Sequence, residues 1–142
     1  MAKFSSTVVT VSIDASPGGA SKIITPYVDT INGMAIEAIT QQTNPFGVAS
    51  EQHTPTGLVK SMDITLSGLY DNVADVGSWT VLKQVAGDIA VASVGRVLVI
   101  LAATGATYTI TVHLVKTEVV VSNGALTRYA TLLRPATVGV WS

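Results

Sequence analysis

Between residues 62 and 67 the chain sets Met62, Ile64 and Leu66 against Asp63, Thr65 and Ser67. A repeat of two residues is the repeat of an extended strand, so this segment has one apolar face and one face of hydroxyls and a carboxylate. The same repeat returns in Val9, Val11 and Ile13, and again where Ile110, Val112 and Leu114 oppose Thr109, Thr111 and His113. Valine (21), threonine (18) and isoleucine (10) supply 49 of the 142 residues. Such β-branched side chains suit a pleated surface, and the chain reads as mainly β.

The segments between these strands follow turn chemistry. Phe4 to Ile13 reads as a strand, and Ser16 to Gly19 as a turn. Ile23 to Val28 reads as a short edge strand, because Pro26 cannot donate to a ladder. Gly33 to Gln41 alternates more weakly. Asp88 to Val94 and Arg96 to Ala103 read as strands. Val97 to Leu101 is apolar at every position, which predicts a central strand covered on both faces. Thr104 and Gly105 turn the chain into a long strand over 107–121, expected to bend or bulge near Lys116 because it exceeds the usual strand length. Asn123-Gly124 predicts a tight hairpin of the primed type. The return strand ends at Pro135, and an apolar tail over 136–141 follows it.

Two segments depart from this pattern. Residues 42–57 (QTNPFGVASEQHTPTG) contain two prolines and two glycines between strands, and predict a long inter-strand loop on a protruding hairpin. Residues 75–87 form the one good helix candidate. Asp75 is placed to cap it, Val76, Trp79, Leu82 and Val85 repeat at helical spacing, and Gly87 is placed to end it. This helix is expected to lie over the sheet as a lid. No boundary divides the chain, so residues 1–142 are expected to form a single domain.

Charge is scarce. Only 12% of residues are charged and mean hydropathy is +0.50, against roughly 25% charge in an ordinary globular domain. A lone subunit needs charge to stay apart from its copies, so much of this surface is expected to be buried against other copies or partners. The net charge of −1 leaves no basic footprint for nucleic acid. The chain has no cysteine, which removes disulfides and thiolate chemistry. The uncharged span 97–115 holds Gly105, His113 and several threonines, and reads as two strands and a turn, not a membrane helix.

Residues for catalysis are sparse. Ser50, Glu51 and His53 are neighbours in the long loop, but adjacency is not a triad, and a loop gives them no rigid scaffold. His53 and His113 have no companions at metal-ligand spacing. No enzyme activity, metal or cofactor is expected. Glu37, Asp63 and Glu118 stand on predicted strands, and Glu37 and Asp63 are expected to share one sheet face.

The order of elements resembles the tail tube protein, or major tail protein, of long-tailed phages. The resemblance is carried by ITPYVDTINGM (24–34), the long loop before TGLVKSMDITLSGLYD (56–71), the helix GSWTVLKQVAG (77–87) and the hairpin SNGALTRYATLLRPATV (122–138). It covers most of the chain after about residue 20 and implies a β-sandwich or barrel-like subunit flanked by one short helix. Six subunits would close into a ring around a channel, the long loop would reach a neighbouring ring, and stacked rings would conduct DNA in the virion tail. Tape-measure and terminator proteins would be further partners, with assembly in the host cytoplasm and no membrane. On face parity, Glu37, Gln41, Asp63, Thr65 and Ser67 are the lumen candidates. Asn44, Pro45, Phe46, Glu51, His53 and Pro55 are the inter-ring candidates. Alternatives are a capsid decoration or neck protein, the inner tube of a contractile injection device, and a ligand-binding β-sandwich. The last is poorly supplied by two Trp, four Tyr and two Phe.

Overall fold

A computed structural model of the 142-residue chain describes residues 9–43, 52–101 and 106–142. Its body is one antiparallel sheet built from β1 (Thr10–Asp14), β2 (Ser21–Ile23), β3 (Thr30–Asn32), β6 (Ile64–Leu69), β7 (Arg96–Leu101), β8 (Thr107–Val120), β9 (Arg128–Pro135) and β10 (Val140–Trp141). The order across the sheet is β2-β1-β7-β8-β9-β6-β3, and β10 pairs with β8. A second, two-stranded sheet joins β4 (Ile36–Thr43) to β5 (Gln52–Ser61).

The predicted alternation sorts the body into two faces. Val11, Ile13, Ile64, Leu66, Leu98, Ile100, Tyr108, Ile110, Val112, Leu114, Tyr129 and Leu133 all point inward and are buried. Met62 does not join them: it precedes β6 and is exposed. The inner face is closed by Ile24, carried on the approach to a 3-10 turn at Thr25–Tyr27, and by Val81 and Leu82 of a short helix. The predicted strand over 23–28 therefore ends at Ile23. Pro26 stands in the first turn of the 3-10 element, where its missing N–H costs nothing.

β8 holds the sheet together. Thr107 to Val112 pair with β7, and Val112 to Val120 pair with β9. The register shifts between Leu114 and Lys116, so the expected bulge falls at Val115. Gln84 anchors it by donating Nε2 hydrogen bonds to the carbonyls of Leu114 (3.2 Å) and Val115 (2.9 Å). The bulge resets which residues face inward: Thr117 turns in beside Thr131, and Lys116 and Glu118 turn out.

The helix predicted over 75–87 is two short ones, α1 (Ser78–Leu82) and α2 (Ala86–Ile89). Asp75 does not cap α1; it adopts φ 77°, and Gly77 is the cap residue. The break has a physical cause. A buried Arg96 donates to the carbonyls of Val81 (2.5 Å) and Lys83 (3.3 Å), and Thr117 Oγ1 donates to Leu82 (2.5 Å). These side-chain donors stand in for the N–H groups of a continuing helix. Asp88 then starts α2 by accepting the Val85 N–H (2.9 Å). The predicted strand over 88–94 is accordingly the end of α2 and the turns after it.

β3–β4 and β5–β6 are one long hairpin with a break. Thr30↔Ser67 to Asn32↔Thr65 and Ile36↔Ser61 to Ala38↔Val59 keep a single register across the interruption. Gly33 makes the break at φ 94°, where an added Cβ would lie 1.9 Å from the Asp63 carbonyl oxygen. The described parts of the predicted loop 42–57, residues 42–43 and 52–57, are thus strand. Pairing continues to Thr43↔Gln52, past an irregularity between Ala38 and Thr40. Asn44, Pro45, Phe46 and Glu51 lie outside the described residues, as do Phe4 to Val8 and the Thr104-Gly105 turn.

Two smaller expectations are also corrected. Asn123 lacks the positive φ of a primed turn. Gly124 alone takes φ 77°, and Ala125 N–H bonds to the Ser122 carbonyl, the pattern of a type II turn in a loop longer than two residues. β7 is central in the ladder, but only its inner face is covered within the subunit, and Val97 and Leu101 are exposed on the other.

Candidate assembly and lumen surfaces

The outer face of the sheet has two chemically distinct halves. Across β2-β1-β7-β8-β10 one row reads Ile23, Ser12, Val99, Thr109 and Val140. Its neighbours are Thr10, Leu101 and Thr107. This half carries no charge in those rows.

Across β8-β9-β6-β3 the rows are polar. One reads Glu118, Ala130, Ser67 and Thr30, and the next reads Lys116, Leu132, Thr65 and Asn32. His113 opposes Arg134, whose Nε lies 3.5 Å from Asp63 Oδ2. Lys116 Nζ lies 2.5 Å from Glu118, and at the far end Arg128 lies 2.5 Å from Asp29. The Arg128 guanidinium, bonded to Asp29, holds that carboxyl below its ordinary value of 3.8. This pair therefore adds stability above that pH and loses it as pH falls through the lowered value. An Arg128→Ala protein should return the Asp29 titration upward toward 3.8, read by NMR of its carboxyl carbon. An unmoved titration would show that the pair does not form.

The sequence-derived lumen candidates separate on this map. Asp63, Thr65 and Ser67 share the polar half of the main sheet. Glu37 and Gln41 stand on the β4–β5 arm, where Glu37 pairs with Lys60 at 3.7 Å. The two carboxylates are therefore on separate sheets. Sequence reasoning overlooked Lys116, Arg128 and Arg134 on the polar half. The alternation Arg128, Ala130, Leu132, Arg134 carried the signal, but the cross-strand register that places it beside Asp63 did not exist in the sequence.

The arm is the second surface. Every described residue in 36–42 and 55–60 is exposed. Leu58 is 62% exposed, Val59 49% and Met62 46%, with Ile36 and Ile39 beside them. An isolated two-stranded hairpin is marginal in water, and this one has no core of its own. His53 and Pro55, two of the inter-ring candidates, lie on it opposite Gln42 and Thr40.

The third surface is a pair of open edges. β3 ends the sheet, and β8 beyond Val115 has no strand on its far side among the described residues. The end of β8 and the tip beyond it expose Val119, Val121 and Leu126.

A cleft of about 390 Å³ opens between the start of β1 and β3, lined by Val9, Val11, Thr25, Val28, Asp29, Ile31 and Met34. Its one carboxylate is already held by Arg128, so it offers little to orient a polar ligand. Among the described residues no group of three or more His, Asp or Glu is placed to hold a metal, and no helix is long and apolar enough to cross a membrane.

No known family profile and no curated protein matches the sequence. Solved structures match over the whole chain. A chain of the native gene transfer agent virion aligns with TM-score 0.73 at 8% identity, covering 99% of both chains. A chain from the six-fold symmetrised anti-feeding prophage baseplate aligns at 0.67 and 11% identity, covering 100% of this chain and 97% of that one. A chain from the sheath/tube terminator of an extracellular contractile injection system aligns at 0.64 and 14%, covering 100% and 98%. The fold is that of the tail and tube components of phage-like particles. Within that class it is a mainly β subunit with a projecting arm, and it resembles a tail tube protein.

Proposed function

We propose that the chain is a non-enzymatic structural protein of a virion tail, closing into six-fold rings that stack into a tube conducting DNA. The observation that carries this reading is the even count of strands in the polar half. β8, β9, β6 and β3 alternate in direction, so the two open edges run opposite ways. Rotation about a ring axis sets β3 of one copy against β8 of the next in antiparallel pairing, and closure covers both of these edges. The tail of the empty gene transfer agent particle, which this chain resembles at TM-score 0.72, has C6 symmetry. Six copies of four strands at about 4.8 Å spacing give a circumference of about 115 Å and a backbone radius of about 18 Å before tilt. Side chains that fill about 5 Å on each side leave a bore of about 26 Å, room for a duplex.

The polar half then lines the bore, with Asp63, Thr65 and Ser67 on it, and α1 and α2 lie behind the sheet toward the outside. The exposed apolar arm finds its cover on a neighbouring copy. Its match is the uncharged half of the outer face, which includes Ile23, Val99, Leu101 and Val140. The inner tube of a contractile injection device is the alternative, since chains of an extracellular contractile injection system are among the neighbours of this fold. Negative-stain microscopy of the purified protein should show hollow tubes of uniform width. Particles of one subunit at high concentration would refute the reading.

A further inference from the structure

The polar half of the sheet carries two ion pairs, Asp63 with Arg134 at 3.5 Å and Glu118 with Lys116 at 2.5 Å; Asp29, held by Arg128 at the end of the sheet, lines the cleft instead. The four side chains are 46–59% exposed, so the pairs face solvent. We propose that this face is a charge-compensated wall for a double-stranded nucleic acid, and this rests on the tube reading above. A bare row of Lys and Arg would release counterions from the duplex and hold it. A bare row of carboxylates would oppose its entry, since fields in a cleft with low-dielectric walls are focused. Here each cation already has a carboxylate partner, so a phosphate must displace that partner to bind. Thr65, Ser67, Thr30 and Asn32 fill the spaces between the pairs with neutral hydrogen-bonding groups. The wall neither traps nor repels, which is what a conduit for a polyanion requires.

The test uses assembled tubes, verified by microscopy before any nucleic acid is added, and a labelled short linear duplex. Wild-type tubes should retain little duplex, with no change between about 50 and 200 mM salt. An Asp63→Asn, Glu118→Gln tube leaves Arg134 and Lys116 uncompensated. It should retain at least about tenfold more duplex at 50 mM salt and release it by about 200 mM, as counterion release requires. A covalently closed circle, which cannot thread a bore, should not be retained. Retention equal to wild type, or equal capture of closed circles, would overturn the proposal. A Lys116→Gln, Arg134→Gln tube bares the carboxylates instead and should slow duplex entry about tenfold at low salt; unchanged entry would also overturn it. If the wild-type chain forms no tubes, the assembly reading itself fails, and the microscopy shows this before the wall is tested.

Discussion

An Asp88→Ala protein is expected to lose about 3–5 kcal/mol of stability, because the change leaves a buried guanidinium without its counter-charge. Arg96 and Asp88 have side-chain exposures of 0% and 1%. Arg96 Nε and the Nη2 nitrogen reach the two Asp88 oxygens at 2.9 and 2.6 Å, a two-pronged pairing. The same guanidinium donates to the carbonyls of Val81, Lys83 and Asp14, and Asp14 Oδ2 accepts the Val97 N–H at 3.0 Å. One side chain therefore ties β1, β7, α1 and α2 together. Removing Asp88 also takes the acceptor from Val85 N–H and so the start of α2. The pair matters chiefly through the cost of breaking it. Replacing both members, as Arg96→Met with Asp88→Leu, should recover a substantial part of the loss despite the carbonyls it orphans. Denaturant midpoints at low protein concentration measure both. Equal losses in the single and double variants would show that the carbonyl bonds, not the charge, dominate.

The second large effect is on assembly and not on folding. A Leu58→Asp, Val59→Asp protein should keep its thermal midpoint and lose tube formation altogether. Both residues are largely exposed on the arm, Leu58 by 62% and Val59 by 49%, so the isolated fold loses little contact. In the tube, two carboxylates per copy would be forced against an apolar neighbour, and each uncompensated buried charge costs several kcal/mol. In the six-fold ring proposed above, that penalty is repeated in every copy and is expected to outweigh the contact the arm makes. Sedimentation shows the result directly: tubes pellet and the variant stays in solution. Variant tubes of normal length would mean that the arm faces solvent in the assembly.

How much of this was legible in the sequence depended on whether a segment's partners were local. The inward residues Ile64, Leu66, Ile110, Val112 and Leu114 could be read because a strand period is a property of the chain itself. The bulge near Lys116 followed from strand length. The break in the helix could not be read, because it is imposed by Arg96 and Thr117, distant in sequence from the carbonyls they occupy. Of the arm's two strands only β4 showed even a weak alternation, for a related reason. Residues such as His53 and Pro55 lack an apolar face to pattern, since their cover within the subunit is absent. The face on which the lumen candidates stand was half legible. Parity placed Asp63, Thr65 and Ser67 on one face, but the cations beside them depend on the β8 bulge and the β6–β9 register. The low charge pointed to partners, and the exposed Val, Ile and Leu on the arm and at the β8–β9 tip are where that shortage of charge appears.

The chain's lack of cysteine makes the most direct measurement possible. Thr30→Cys on the β3 edge and Val119→Cys on the β8 edge, in one polypeptide, should link each subunit to the next when tubes are oxidised. A denaturing-gel ladder that ends at six, the closed ring, is the expected result. Unlinked subunits from well-formed tubes, or a ladder running on without a stop, would contradict ring closure through these two edges.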